Sequence, residues 1–443
     1  MRTLRALSPR QILVLGWLGF MTYAFPGYMS FDSVTQLRMS RSGYLIDGHP
    51  PFMAALWRFM ELFVAGPIGM LLIQTVAFLI GAYLVLRTRM APRTAAIAAT
   101  LVLWFPPIGA VMAVIWKDSQ MTAFLILGLG LLIQDRRRDH VLGLIAILVA
   151  TLMRHNALLM TGPLLVFAFR WSPSYGWIKS TALAVVAWIA ITLTAQVIES
   201  GLTDEQQHFW HTTIALCDIA GTLRYEPAPI SDAELARVAP GVTFLVPNVQ
   251  DHLKEAVETR GYVDTLWKPT YSVIAAPRTA AERAAVTAAW KAIVFGHLDA
   301  YIAYRWEVVR RMLGLSDDAV VSPVYNWFTD IQDPYFSASA IDHDATGAHL
   351  QNLLREGIHV VAVTPVFSVV VYLALLLLLL PFALRDRQVF GLLASAITGE
   401  LALVLIAPTP DWRYSYWAIV AVVFSTILLV ARRIRTARPR SVG

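Results

Sequence analysis

The chain reads as an all-α polytopic membrane protein of about ten transmembrane helices with a mainly helical extracytoplasmic domain, and three observations predict this. Hydrophobic residues fill 57% of its 443 positions and charged residues only 15%, against roughly 25% charged in a soluble domain. Apolar runs of about 18 residues or more recur, long enough to cross a ~30 Å hydrocarbon core at 1.5 Å per helical residue. These runs are continuous and rich in Leu, Ala and Val, whereas a membrane barrel needs short alternating strands.

In chain order, spans are expected at roughly 11–29, 66–86, 94–115, 119–134, 140–153, 156–170, 179–198, 358–384, 389–407 and 413–431. The first follows a basic start directly and has no small-x-small cleavage site after it, so it reads as an uncleaved helix rather than a signal peptide. With the N-terminus inside, Arg2, Arg5, Arg10, Arg87, Arg89, Arg93, Arg136 to Arg138, Arg170, Lys179, Arg385, Arg387 and the Arg-rich end after Arg432 all fall on the cytoplasmic side, as the positive-inside rule requires. The net charge of +6 therefore reflects topology, and no nucleic-acid partner is expected. The expected location is a bacterial inner (plasma) membrane, with both termini cytoplasmic. The modules are 1–198 (membrane, with a first outer loop at 30–65), 199–357 (extracytoplasmic domain) and 358–443 (membrane). In the middle module Ala280–Gly296 and Asp299–Leu313 have helical periodicity. The single cysteine, Cys217, excludes an internal disulfide and any multi-cysteine metal site.

The short outer loops carry few charges, but unusual ones. After the first span comes Phe31-Asp32-Ser33, then Asp47-Gly48-His49-Pro50-Pro51. Proline fixes φ and biases its predecessor towards extended geometry, so His49 stands at the head of the next segment. That segment, Pro51 to Val64, spaces Met53, Leu56, Trp57, Met60 and Phe63 helically, with Arg58 and Glu61 between them. It reads as an amphipathic helix on the membrane interface, with Trp57 in the aromatic belt. A blander alternative makes Asp32 a helix cap in a solvated loop.

This arrangement resembles the GT-C superfamily of integral-membrane glycosyltransferases, in the branch of protein O-mannosyltransferases and lipid A aminoarabinose transferases. There an acid follows the first helix, matched by Asp32, and a second acid precedes a His-Pro-Pro or Lys-Pro-Pro element, matched by Asp47 with His49-Pro50-Pro51. Ser33 departs from the pattern, since the mannosyltransferases place Glu there. The resemblance is close over the loop, loose over the first six or seven spans, and does not extend to 199–357. It implies a GT-C-like fold and transfer of a sugar from a polyprenyl-phosphate donor to an extracytoplasmic acceptor, with inversion and the active site on the periplasmic face. Asp32 would be the general base and Asp47 would orient the acceptor.

Such a step needs cations around the leaving phosphate. Lys117 beside Asp118, Arg154-His155 and Arg413-Tyr414 all fall on the outer side with His49, as candidate substrate-binding residues, although a basic residue at a helix end can also snorkel to headgroups. Glu400, inside the ninth span, is a possible intramembrane polar site. The expected partners are the lipid-linked donor, membrane lipids and an unidentified acceptor. No cofactor is assigned, and a divalent metal is left open. His208 with His211, and Asp342-His343-Asp344, are incomplete as first shells. No phosphate-cradling glycine loop, nucleophile elbow or zinc-protease pair occurs. Two alternatives remain: a transporter or flippase for lipid-linked saccharides, and an O-antigen polymerase or ligase. Neither paired repeats nor a late loop dense in Arg and His supports them.

Overall fold

The computed structural model describes residues 7–169, 171–172, 174–260, 272–315 and 349–437. These residues are helical, with no β-strand among them and three isolated bridges. The chain divides into two units, one of residues 1–205, 323–400 and 413–443, the other of 206–322 and 401–412. The polar stretch expected as one domain is thus apportioned between them: the second unit begins at Gln206, and residues 349–362 belong with the first.

In the first unit the helices are α1 (Pro9–Ala24), α2 (Phe31–Ser42), α3 (Pro51–Glu61), α4 (Ile68–Arg87), α5 (Pro92–Trp104), α6 (Pro106–Met112), α7 (Lys117–Leu132), α8 (Arg137–Met153), α9 (Ala157–Pro163, continued by a π turn to Ala168) and α10 (Trp177–Leu202). Four helices in the whole chain are long and apolar enough to cross a membrane: Ile68–Arg87, Trp177–Leu202, Arg387–Ile406 and Trp412–Arg435. The bent pair α5 and α6 makes a fifth if counted as one span.

Prolines account for most departures from the expected spans. The helix expected over 11–29 stops at Ala24, because Pro26 forces Phe25 into extended geometry. The span expected over 94–115 breaks at Phe105, ahead of Pro106-Pro107, and turns by 72°. That expected over 358–384 is two helices, His349–Ala362 and Val369–Ala383, parted by a short turn at Pro365. The first outer loop is not a loop: 31–42 is α2, started by Ser30 as N-cap. Trp57 is not in an interfacial belt but fully buried, its indole donating to the Gly66 carbonyl at 2.9 Å.

The broken span positions the site. After α6 the chain returns to the segment before α2: Tyr28 donates to Ala113 at 2.9 Å and Ile115 donates back to Tyr28 at 3.0 Å. Carbonyls freed by such a break must find donors inside an apolar layer. Gln74 on α4 supplies Met112 and Val114 at 2.8 and 2.9 Å, Ser119 supplies Val111 at 2.7 Å, and Gln120 holds the Gln74 amide at 2.8 Å.

Helix α7 packs along α4 and α8. A Cβ on Gly81 would lie 2.6 Å from the Ile126 carbonyl carbon, and one on Gly130 would lie 2.8 Å from the Gly81 oxygen. Gly81→Ala is therefore expected to part α4 from α7 and destabilise the protein by roughly 1–3 kcal/mol. A lowered melting temperature in detergent would show this; an unchanged one would contradict the close approach.

At one end of this unit Asp386 binds Arg89 at 3.1 Å and Arg432 at 3.4 Å. That brings together the basic ends of α4, of Val369–Ala383 and of the last helix, Tyr416–Ala437. The opposite helix ends carry Lys117, Arg154 and Arg413.

The second unit is built on α11 (Ala215–Tyr225), α12 (Asp232–Val238), α13 (Val249–Arg260), α14 (Ala280–Gly296) and α15 (Leu298–Met312). Leu216, Ile219, Leu223, Leu253 and Ile293 lie in its core. Buried Asp218 pairs with Arg305 and accepts from the Trp290 indole at 2.8 Å. Cys217 is buried and reduced.

Candidate active site

Asp32 lies in the first turn of α2, where the helix dipole favours an anion. The N-terminal end of α2 is fixed from two sides. Ser30 and Ser33 form a reciprocal cap, Ser33 donates to the Ile115 carbonyl at 2.7 Å, and the Trp116 indole donates to Ser30 at 2.6 Å. Ser33, standing where the related pattern has Glu, is thus a tether between α2 and the segment that starts α7. Lys117 is the first residue of α7, so this tether sets it close to Asp32.

The carboxylate meets three basic groups from three parts of the chain. Arg413 donates to it at 2.7 Å, its guanidinium stacked over the Trp116 ring at 4.6 Å. The His49 Nε2 is 3.9 Å away, too long for a direct hydrogen bond. Lys117 Nζ lies 2.7 Å from His49 Nδ1. An ammonium can only donate, so Nδ1 accepts and Nε2 carries the proton that faces Asp32. Burial alone would raise Asp32, but Arg413, then Lys117 and His49, outweigh it and hold the carboxyl well below the usual carboxylate range.

His49 stands directly before Pro50, where Pro51 opens α3. Burial, and then the Lys117 charge, push its imidazole down to about 3, against the pull of Asp32. The sign of the consequence is fixed. Between the ordinary value of 6.5 and about 3, an unfolded chain binds a proton that the folded chain refuses, so stability falls as pH drops through that window. One such group contributes a slope of at most ~1.4 kcal/mol per pH unit. His49→Gln is expected to flatten the dependence of melting temperature on pH between 6.5 and 3; an unchanged slope would contradict a buried neutral imidazole.

A second pair lies beside the first. Asp118, 1% exposed in the first turn of α7, forms an ion pair with Arg154, the C-cap residue of the antiparallel α8. Each charge also sits at the helix end whose dipole suits it. Arg154 stacks over Tyr414 at 4.6 Å, and Arg413 approaches the same ring at 5.9 Å. His155 hydrogen-bonds the Asp47 backbone, and burial lowers its pKa ahead of Lys117; it lies 3.7 Å from Glu199. Glu400 accepts from Ser415 at 3.0 Å and feels the Arg154 charge. Its helix ends at Ile406, placing it roughly 9 Å from that end by helical rise, closer than continuous helix to Asp411 implied.

Asp32, Asp47, His49, Lys117, Asp118, Arg154, His155, Arg413, Tyr414 and Glu400 are therefore linked, directly or through one neighbour, in the first unit. Glu199 and Trp116 join them without having been singled out. Glu199 had a signal, an acid in the last turn of an apolar helix, whereas Trp116 is one of 14 tryptophans and had none. His208 does not share a helical face with His211: it precedes the helical turn with φ +51°. Residues 342–344 lie outside the described residues. Among the described residues no group of three or more His, Cys, Asp or Glu side chains could hold a metal ion.

No family model matches the chain, nor does any curated protein or solved structure.

Proposed function

We propose that the chain is a membrane glycosyltransferase that moves a sugar from a polyprenyl-phosphate donor to an extracytoplasmic hydroxyl, with Asp32 as general base. The carrying observation is an ionised, half-buried carboxylate facing Arg413 and the Lys117–His49 pair, all at helix ends opposite the Asp386 cluster of basic ends. On this reading the Asp386 end is cytoplasmic. The helices too short to pass as spans alone (α1, α7, α8, 157–168 and 369–383) complete about ten crossings in a GT-C-like arrangement, and the site opens on the periplasmic face of a bacterial plasma membrane.

In the proposed step the acceptor oxygen bonds to the anomeric carbon as the bond from that carbon to the phosphate oxygen breaks. Asp32 takes the acceptor proton, and the lipid leaves as its phosphomonoester. Arg413 and Lys117 suit the developing charge. A carboxylate locked to a guanidinium is a weak base. A donor phosphate that draws Arg413 away would return Asp32 towards its ordinary range, so base strength would arrive with the donor.

Arg413→Gln tests this. Without the cation the Asp32 pKa rises, so the base is protonated at higher pH. The acid limb of kcat/KM is expected to move up in pH, with KM for the donor rising roughly tenfold or more as a charged hydrogen bond is lost. An unmoved limb with wild-type KM would remove Arg413 from both roles.

A further inference from the structure

Helix α2 carries one polar side chain that the fold does not use. Its hydroxyls are all engaged: Ser33 donates to Ile115, Thr35 to Phe31, Ser40 to Leu37 and Ser42 to Met39, at 2.7 to 3.2 Å. Gln36 differs. It is 2% exposed, yet neither its amide nitrogen nor its amide oxygen has a hydrogen-bond partner among the described residues. A buried amide left unpaired is costly, and such groups are rare in native proteins; a methionine of the same length would fill the space without that penalty.

The position of Gln36 suggests what uses it. It follows Asp32 by four residues and Ser33 by three, so all three share one face of α2. Ser33 ties that face to Ile115, ahead of Lys117. The amide therefore lies one helical turn beyond the carboxylate, on the face that meets the Lys117 segment. A primary amide is neutral and both donates and accepts, which matches neighbouring hydroxyls of a sugar ring and does not match a phosphate, for which the cations here are suited.

Building on the glycosyltransferase reading, we propose that Gln36 binds ring hydroxyls of the transferred sugar and so takes part in choosing it. The test uses purified full-length protein in detergent, with polyprenyl phosphate alone and with its glucose, mannose and arabinose forms. Affinity is read by intrinsic tryptophan fluorescence. Gln36→Met is expected to melt at or above the wild-type temperature without lipid and to bind bare polyprenyl phosphate within about twofold of wild type. It should bind the preferred sugar lipid about tenfold or more weakly, the loss of one to two hydrogen bonds. No loss, or equal loss for bare and sugar-bearing lipid, overturns the inference alone. Failure of both Gln36→Met and Gln36→Leu to fold would make the amide a structural element and also overturn it. Wild-type protein that binds bare polyprenyl phosphate as tightly as every sugar form overturns it too. Wild-type protein that binds none of these lipids overturns the glycosyltransferase reading and the inference together.

Discussion

Asp32→Asn is expected to lower sugar transfer by roughly 10²- to 10⁴-fold, the usual contribution of a positioned general base. Asn keeps the shape and one oxygen that can accept from Arg413, which donates to the carboxylate at 2.7 Å in the wild type. The fold should therefore survive, because the Ser30–Ser33 cap and the Ser33–Ile115 bond do not involve the carboxylate. Kinetics and melting temperature belong in the same experiment. A large loss of rate with an unchanged melting temperature supports a chemical role. Wild-type rates in the variant would exclude Asp32 as base and turn attention to Asp47.

The second large effect is on stability. Arg154→Met would leave Asp118, 1% exposed, without its countercharge. Removing one member of a buried pair costs about 3–5 kcal/mol, whereas replacing both with apolar residues is often neutral or better. The single variant is expected to melt far below wild type or to aggregate. The Asp118→Leu/Arg154→Met double variant should recover most of the loss. A single variant as stable as wild type would show that this pair does not hold α7 to α8.

These two pairs mark where sequence reasoning reaches and where it stops. Helix polarity and the positive-inside pattern sufficed to put Asp32, Lys117, Arg154 and Arg413 at one set of helix ends, because charge placement and apolar length are local properties. Which cation meets which acid was not legible. Arg413 reaches Asp32 across 381 positions, and Asp118, rather than a substrate phosphate, engages Arg154. The reading of 31–42 as loop failed because its polar residues form the Ser30–Ser33 cap and its apolar Val34 and Leu37 are buried, a short amphipathic pattern hidden by its low overall hydrophobicity. Trp57 was misplaced for a related reason: spacing gives the side of a helix, not what covers that side. The break at Pro106 was readable from residue type alone, but the return of the chain to Tyr28 was not, since it rests on backbone hydrogen bonds that any residues can make.

The central claim is that the lipid-linked sugar is cleaved from its phosphate at this site. The most direct measurement is phosphorus NMR of purified protein in liposomes containing a polyprenyl-phosphate sugar and a hydroxyl acceptor. The account predicts that the phosphodiester signal gives way to the polyprenyl phosphomonoester with wild type and not with Asp32→Asn. A phosphodiester that stays intact while the lipid crosses the bilayer would contradict it and identify a transporter instead.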